Sequence, residues 1–597
     1  RITDAPDLES PNNLLATFTA DGQRKSLVIG GLEYRDFAKY VSVHKQQGAD
    51  GFVLEAKCVD PVGRLVETKT NYIPEDWVYL DFVTANPFAS LKQYGLSLRK
   101  AQEASPRVFD FPLVDGYQAS LAAHGGDVRL NTSAGLVGEM QDAARTGFTN
   151  YSPVGVSLVL DRPAQGSSPG WWEDAFWEKN VHLTQPYEDL SKWSRAVRGI
   201  GGVPVLGLWT CREGASGDIQ QSITKAYGRL AESRIGGICF SAPGTAWDEK
   251  GGFKDKSLTA AGAYRSYFDT ARSNLESGAL LTEENVSSPL LDVTAGLVDS
   301  QAVPRDRNYG PDAAYAQCGL RWYKSRVIYT YDVGPVDLSA LKPANGDGRR
   351  RALTLAYMTA GRLTLARSFA KMSRAEILDL SRIFPIDLDS KSFVPLDAFS
   401  KAGWPCVYDL ALNPQWHQIV LCNFDLAREA NISVDLSRDT ASGGAGLDAK
   451  KSYYVYDFWN NSYIGKLSAV GKLEQTLRAG EARMLSIHEV EDQPQVISTN
   501  RHLMQGYVDV YRTLWNSGKK ELSGVSSVVG GETYKVVLAT NGYLPVSCTA
   551  SGASCRIETL GAQKDVIVLI IDRPQNGLVS WSVSFSKVDS GVKAVSR

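Results

Sequence analysis

Residues 235–241, IGGICFS, form a short apolar run that ends in serine, with Ala-Pro-Gly directly behind it. A run of this length without polar alternation reads as a strand covered on both faces, the condition of a parallel sheet packed under helices. The same texture returns at RVFDFPLVD (107–115), VGVSLVLD (154–161), VPVLGLWTC (203–211), ALLTEEN (279–285), VTAGLVDSQ (293–301), RVIYTYD (326–332) and GRLTLARS (361–368). Between these runs lie YEDLSKWSRAVRGI, DIQQSITKAYGRLAESR, LTAAGAYRSYFDTARSNL and RRRALTLAYMTA, whose apolar residues recur at spacings of three and four. Eight strands alternating with helices predict an α/β fold, a (β/α)₈ TIM barrel, over residues 105–402.

The texture differs on both sides of that span. Residues 1–104 carry short mixed strands such as SLVIGG and GFVLEAKCV and read as a β-rich N-terminal segment. After residue 402 the helical period disappears: WHQIVLCNFD, NISVDLS and KSYYVYDFWNNSYIGKL predict a β-sandwich over 403–494, and KDVIVLIIDRP belongs to a second all-β region over 495–597.

Composition narrows the function classes. The 597 residues contain 64 Lys plus Arg against 66 Asp plus Glu, so nothing in the charge attracts nucleic acid or an anionic bilayer. No run approaches the roughly 18 apolar residues of a membrane span. The first residues, RITDAPDLESPNN, are polar and lack a signal-peptide pattern, as expected of a mature or trimmed form. Eight cysteines include no CxxC pair, which argues against a structural zinc site; Cys548 with Cys555 and Cys406 with Cys422 are candidate disulfide pairs, and the rest read as core residues. Sequons at Asn131, Asn150, Asn285, Asn431 and Asn460 favour an exported protein, periplasmic or extracellular.

In a (β/α)₈ barrel, chemistry sits at the carboxyl ends of the strands. Those ends offer Asp115, Asp161, Cys211 with Glu213, Ser241, Glu283 with Glu284, Asp299 with Asp306, Asp332 and Arg367. Strand ends are often polar merely because they meet water, yet acids on nearly every strand of one rim make an acidic mouth. The loop SSPGWWEDAFW places Trp171, Trp172 and Trp177 beside Glu173 and Asp174, and Trp209 ends the third strand. Indoles beside carboxylates suit sugar rings, although any one of these Trp residues can equally bury against the helices. With only His124 and His182 in the barrel region, neither a three-histidine metal centre nor a Ser-His-Asp triad is expected, and no cofactor is implied. Glycosidic cleavage needs two carboxyl groups, about 5–5.5 Å apart for retention and 6.5–9.5 Å for inversion.

The segments PGWWEDAFW, GLVDSQAVPRD, CGLRWYKSRVIYTYD, AYMTAGRLTLARSFAKMS, SYYVYDFWNNSYIGKL, ISTNRHLMQG and VVGGETYKVV together resemble bacterial proteins related to glycoside hydrolase family 36, in the clan of the α-galactosidases. The resemblance implies an α-galactosidase-like barrel followed by a β-sandwich, in an exo-acting enzyme on an oligosaccharide or polysaccharide. It also implies a nucleophilic Asp at the end of the fourth strand and an acid/base Asp after the sixth. This chain departs from that pattern. Ser241, Ala242 and Pro243 stand where a carboxylate, an aromatic residue and Pro are expected, and Ala302 stands where an Arg is expected, while Asp306 resembles the acid/base and Asp161 a hydroxyl-binding Asp. A serine hydroxyl without a base cannot replace a carboxylate nucleophile.

Three readings follow: an engineered change at Ser241, a working hydrolase with relocated groups, or a catalytically inactive barrel kept for binding carbohydrate. The relocated hydrolase leads. Its candidates are Asp306 as general acid/base, Glu283 or Asp332 as the second carboxylate and Ser241 at the altered nucleophile position, with Asp161, Trp171, Trp172, Trp209 and Arg321 gripping sugar. Sugar, linkage, stereochemical outcome and oligomeric state stay open at this level.

Overall fold

The structure, a computed structural model, describes residues 7–20, 23–46, 51–124, 129–160, 169–178, 180–210, 219–241, 253, 255–284, 290–303, 310–386, 391–399, 403–560 and 565–587. Its centre is a ring of eight parallel strands: β1 (Leu113–Asp115), β2 (Gly155–Val159), β3 (Val203–Trp209), β4 (Gly237–Ser241), β5 (Leu280–Glu284), β6 (Ser300–Ala302), β7 (Thr330–Asp332) and β8 (Thr364–Leu365). Neighbours in sequence are neighbours in the sheet, β8 also pairs with β1, and a parallel bridge between Tyr331 and Gly361 closes the ring from β7 to β8.

The helices outside the ring follow from apolar spacing and caps. Asp189 caps Leu190–Gly199 by accepting the backbone N–H of Lys192 at 2.8 Å, and that helix buries Leu190, Trp193 and Val197. Ala260–Asn274, capped by Thr259, turns Tyr264, Tyr267, Phe268 and Ala271 inward. Inside the ring, Phe109, Phe111 and Leu280 fill the amino-terminal end, with Leu113, Val205 and Cys239 forming the next layer.

Two small antiparallel sheets precede the barrel. One pairs Asp7–Ser10, Ala38–Lys45 and Phe52–Val59; the other pairs Asn13–Ala20, Gln23–Gly31 and Val78–Asp81. They share a core of Leu14, Ile29, Val41 and Val43 and are tied to the barrel by the Asn12 amide donating to Asp292 at 2.8 Å and the Tyr323 hydroxyl donating to Asn13 at 2.9 Å.

Beyond the barrel, a six-stranded sheet spanning Val394–Glu489 is accompanied by the two-stranded pair Ala430–Asp435 and Lys472–Leu477. Two four-stranded sheets over Gln495–Lys587 then enclose a second core that includes Val536, Leu569, Trp581 and Phe585. The fold is therefore a (β/α)₈ barrel with C-terminal antiparallel β-sandwiches. The C-terminal half is continuous with the barrel: Tyr408, Val420, Cys422 and Met484 of the first sandwich, with Leu503 and Met504 just after the strand Gln495–Thr499, belong to the same buried apolar cluster as the barrel helices. Polar ties reinforce the junction, with the Trp459 indole donating to Thr354 at 2.8 Å and Arg478 pairing with Asp347 at 2.9 Å. Cys406, Cys422, Cys548 and Cys555 are all free thiols, so neither candidate disulfide is formed. Among the described residues no helix is long and apolar enough to cross a membrane.

Candidate active site

Strand register determines which side chains meet inside the ring. Trp209, Ser241 and Glu284 are aligned across β3, β4 and β5, and Ala302 is aligned with Asp332 across β6 and β7. Side chains alternate along a strand, so residues two apart share a face. Arg362 lies inside the ring, where it donates to the Thr282 hydroxyl and, at 3.2 Å, to the Cys239 sulfur. Thr282 and Cys239 precede Glu284 and Ser241 by two positions, which turns those two inward as well. The result is a cavity of about 140 Å³ at the carboxyl end of the strands, bordered among the described residues by Asp115, Trp209, Ser241, Glu284 and Thr364.

Arg362 is fully buried, and four contacts offset its lost hydration. It forms an ion pair with Asp332 at 3.1 Å, makes the polar contacts to Thr282 and Cys239, and stacks its guanidinium 4.3 Å from the Phe109 ring. Asp332 is itself engaged on both oxygens, accepting the Gly334 N–H at 2.8 Å and the Thr364 hydroxyl at 2.6 Å.

Two carboxyls above this pair are perturbed. Glu284 retains a little accessible surface but is enclosed by protein, and burial pushes its carboxyl up to about 7; Arg362 opposes the rise while Asp332 and Asp115 add to it. Burial likewise raises Asp115 to about 6, against the backbone N–H groups of Gln118 and Tyr117 that stabilise its ionised form. The Gln118 bond is 2.7 Å long and lies at the start of the helix Gly116–His124. A cavity in which neighbouring acids titrate near neutrality, over a fixed Arg–Asp pair, can donate and accept protons at pH 6–7.

The sequence-predicted residues divide. Asp332, Ser241 and Trp209 face the interior. Glu283 does not: it points to the helix layer, fully buried, and accepts hydrogen bonds from Thr294 at 2.6 Å, Gln301 at 2.8 Å and Tyr264 at 2.9 Å. Asp299 is also structural, accepting the backbone N–H groups of Arg107 and Leu281 and pairing with Arg272. Trp171 is a core residue, with its ring among Tyr227, Phe240 and Tyr267 and its N–H donated to the Trp209 carbonyl at 2.9 Å. Half-buried Trp172 packs edge-on against it at 5.9 Å. Arg321 sits behind β7 with its guanidinium 5.8 Å from the ring of Tyr331, a side chain that points away from the cavity. Asp161 and Asp306 lie outside the described residues. Sequence reasoning put Asp115 and Glu284 on the rim without selecting them, and it passed over Arg362. Among the described residues no group of three or more His, Cys, Asp or Glu side chains is arranged to hold a metal ion.

No family model and no curated protein sequence matches this chain. Among solved structures it is similar to α-galactosidase I from Mortierella vinacea, with 10% identity over 64% of this chain and 96% of that one and a TM-score of 0.46. The α-galactosidase from Saccharomyces cerevisiae with raffinose overlaps 67% of this chain and 99% of its own at 10% identity and TM-score 0.47. A variant of a glycoside hydrolase family 97 enzyme from Pseudoalteromonas sp. strain K8 overlaps 82% of this chain and 76% of its own, at 12% identity and TM-score 0.48. At such identities and TM-scores, none of these neighbours bears on what this chain acts on.

Proposed function

We propose that the barrel cavity cleaves glycosidic bonds, in an exported bacterial enzyme of α-galactosidase type that acts from the end of an oligosaccharide or polysaccharide. One observation carries this reading: Glu284 and Asp115 line one cavity and are raised to about 7 and about 6. Burial and neighbouring like charge bring both groups into the neutral range, where one can donate a proton and the other accept one at a scissile acetal. Glu284, protonated up to about 7, donates to the leaving oxygen. Asp115, ionised above about 6, acts as base or nucleophile. Asp332 stays bound to Arg362 and fixes the local charge. Trp209 offers an apolar wall for a sugar ring, and Asp306, which follows β6, is the other claimant to the second carboxyl role.

A second reading, a carbohydrate-binding barrel without turnover, is favoured by Ser241 at the end of β4 and by a cavity of about 140 Å³, below the roughly 300–1,000 Å³ of ordinary ligand pockets. Hydrolysis of a panel of nitrophenyl glycosides by the wild type, Glu284→Gln and Asp115→Asn separates the two. The enzyme reading requires each variant to lose about 10²–10⁴-fold in kcat, the usual contribution of one proton-transfer group, while ligand binding by calorimetry persists. Undiminished rates in Glu284→Gln remove it from the mechanism, and a wild type that binds glycan yet hydrolyses none of the panel upholds the second reading.

A further inference from the structure

The two C-terminal sandwiches meet along a second cleft, of about 470 Å³, remote in sequence from the barrel strands. One wall comes from the paired strands Trp416–Cys422 and Ala482–Glu489, the other from Val510–Asn516, and the segment that joins the sandwiches crosses between them. Trp416 and His488 are cross-strand partners whose rings stack at 4.5 Å and 30°. Half-buried Trp515 lines the opposite wall, held edge-on by Tyr543 at 5.1 Å. Two indoles therefore border one groove between β units, a usual location for ligand sites.

The polar lining is made mainly of carboxamides, carboxylates and one imidazole. Gln415, exposed at the rim, makes no side-chain hydrogen bond to a described residue. The Gln493 amide donates to Glu491 at 2.8 Å, which orients both groups. No Lys or Arg lines the cleft among the described residues, so neither a phosphate nor an acidic polymer finds a counter-charge there. His488 is only 9% exposed, and its Nε2 has no hydrogen-bond partner among the described residues. Burial pushes that imidazole down to about 3, so it is neutral at physiological pH and serves as the flat, uncharged backing on which Trp416 stacks. Apolar ring faces, carboxamides and the carboxylates of Glu489 and Glu491 match a ligand with C–H faces and many hydroxyl groups.

We infer that the cleft between the two sandwiches is a second carbohydrate-binding site, which holds a segment of a neutral glycan between Trp416 and Trp515. It does not depend on turnover at the barrel.

Affinity electrophoresis of the full chain in gels containing galactomannan, soluble starch or xyloglucan tests this, with Glu284→Gln as the parent so that hydrolysis cannot consume the polysaccharide. The expected result is retardation of the parent by at least one polysaccharide, and about a tenfold loss of affinity when Gln415→Ala and Gln493→Ala are combined, since two neutral hydrogen bonds contribute roughly that much. These substitutions lie at the surface and should leave thermal unfolding unchanged; Trp416→Ala should abolish retardation. Parental mobility unchanged in all three gels overturns the inference, as does a double variant retarded like its parent. Retardation through the cleft by a chain inert on every glycoside upholds this inference while defeating the glycosidase reading, and hydrolysis without retardation does the reverse.

Discussion

Glu283→Gln is expected to flatten the pH dependence of stability between the ordinary carboxylate range and neutrality. Glu283 is fully buried, and burial raises its carboxyl from 4.5 to about 7 although Thr294, Gln301 and Tyr264 all donate to it. Between those two values the folded protein keeps a proton that the unfolded chain has released, so stability falls as pH rises, and above about 7 the contribution is gone. At 1.36 kcal/mol per tenfold change in proton affinity, the displacement corresponds to about 3 kcal/mol lost across that window. Glutamine has the same shape and keeps an oxygen for Thr294 and Gln301, while its amide faces the Tyr264 hydroxyl. The swap should cost on the order of 1 kcal/mol at pH 5, from the altered Tyr264 bond, and be neutral or stabilising at pH 8. Urea unfolding of wild type and variant from pH 4.5 to 8 measures the difference, read on the transition that reports the barrel, because a chain with several cores need not unfold in one step. Parallel pH profiles for the two proteins would refute the assignment of Glu283 as a buried, neutral structural acid. A loss of hydrolysis of 10²-fold or more in Glu283→Gln would return it to the mechanism.

Ser241→Asp places a fourth carboxyl among Asp115, Glu284 and Asp332, and the added charge should raise the neighbouring pKa values. The expected outcome is a slower enzyme whose alkaline limb moves to higher pH, whereas new α-glycosidase activity from an inert wild type would favour a barrel that has merely lost its nucleophile. Arg362→Met strips the buried Asp332 of its cation and should cost about 3–5 kcal/mol in unfolding free energy, partly recovered by adding Asp332→Asn; a fully stable single variant would contradict the pairing. Asp306→Asn should change kcat less than about tenfold, and a loss in the 10²–10⁴ range, with binding intact, would move the second carboxyl role from Asp115 to Asp306.

Most of the strands were legible because a strand buried on both faces must be apolar throughout: seven of the eight runs contain one barrel strand, while the run at 293–301 is largely turn and overlaps β6 only at Ser300 and Gln301. The sites were less legible. Glu283 and Glu284 are adjacent in sequence and nothing in composition separates them; a shift of one position exchanges the cavity for the helix layer, and register is set by the neighbouring strands. Trp171 looked like a sugar platform because it sits among acids in a Gly-Pro loop, yet the gap left by Tyr227, Phe240 and Tyr267 takes its ring. Arg362 gave no signal, since a cation inside a barrel is recognisable only once its partner from β7 and the Phe109 ring are placed beside it.

The apolar cluster shared by the barrel helices and the first sandwich bears on how the chain is made. Met484, Leu503 and Met504 cover barrel surface but are translated about 120–140 residues after the last barrel strand, which ends at Leu365, has been completed. At about 5–20 residues per second, a nascent barrel waits about 6–28 s on the ribosome with that face uncovered. Such an interval is long compared with collapse and helix formation, so the newborn chain needs either a chaperone over that surface or a slowly consolidating barrel, and a stop codon placed between the barrel and the sandwich would yield an aggregating product rather than a smaller enzyme.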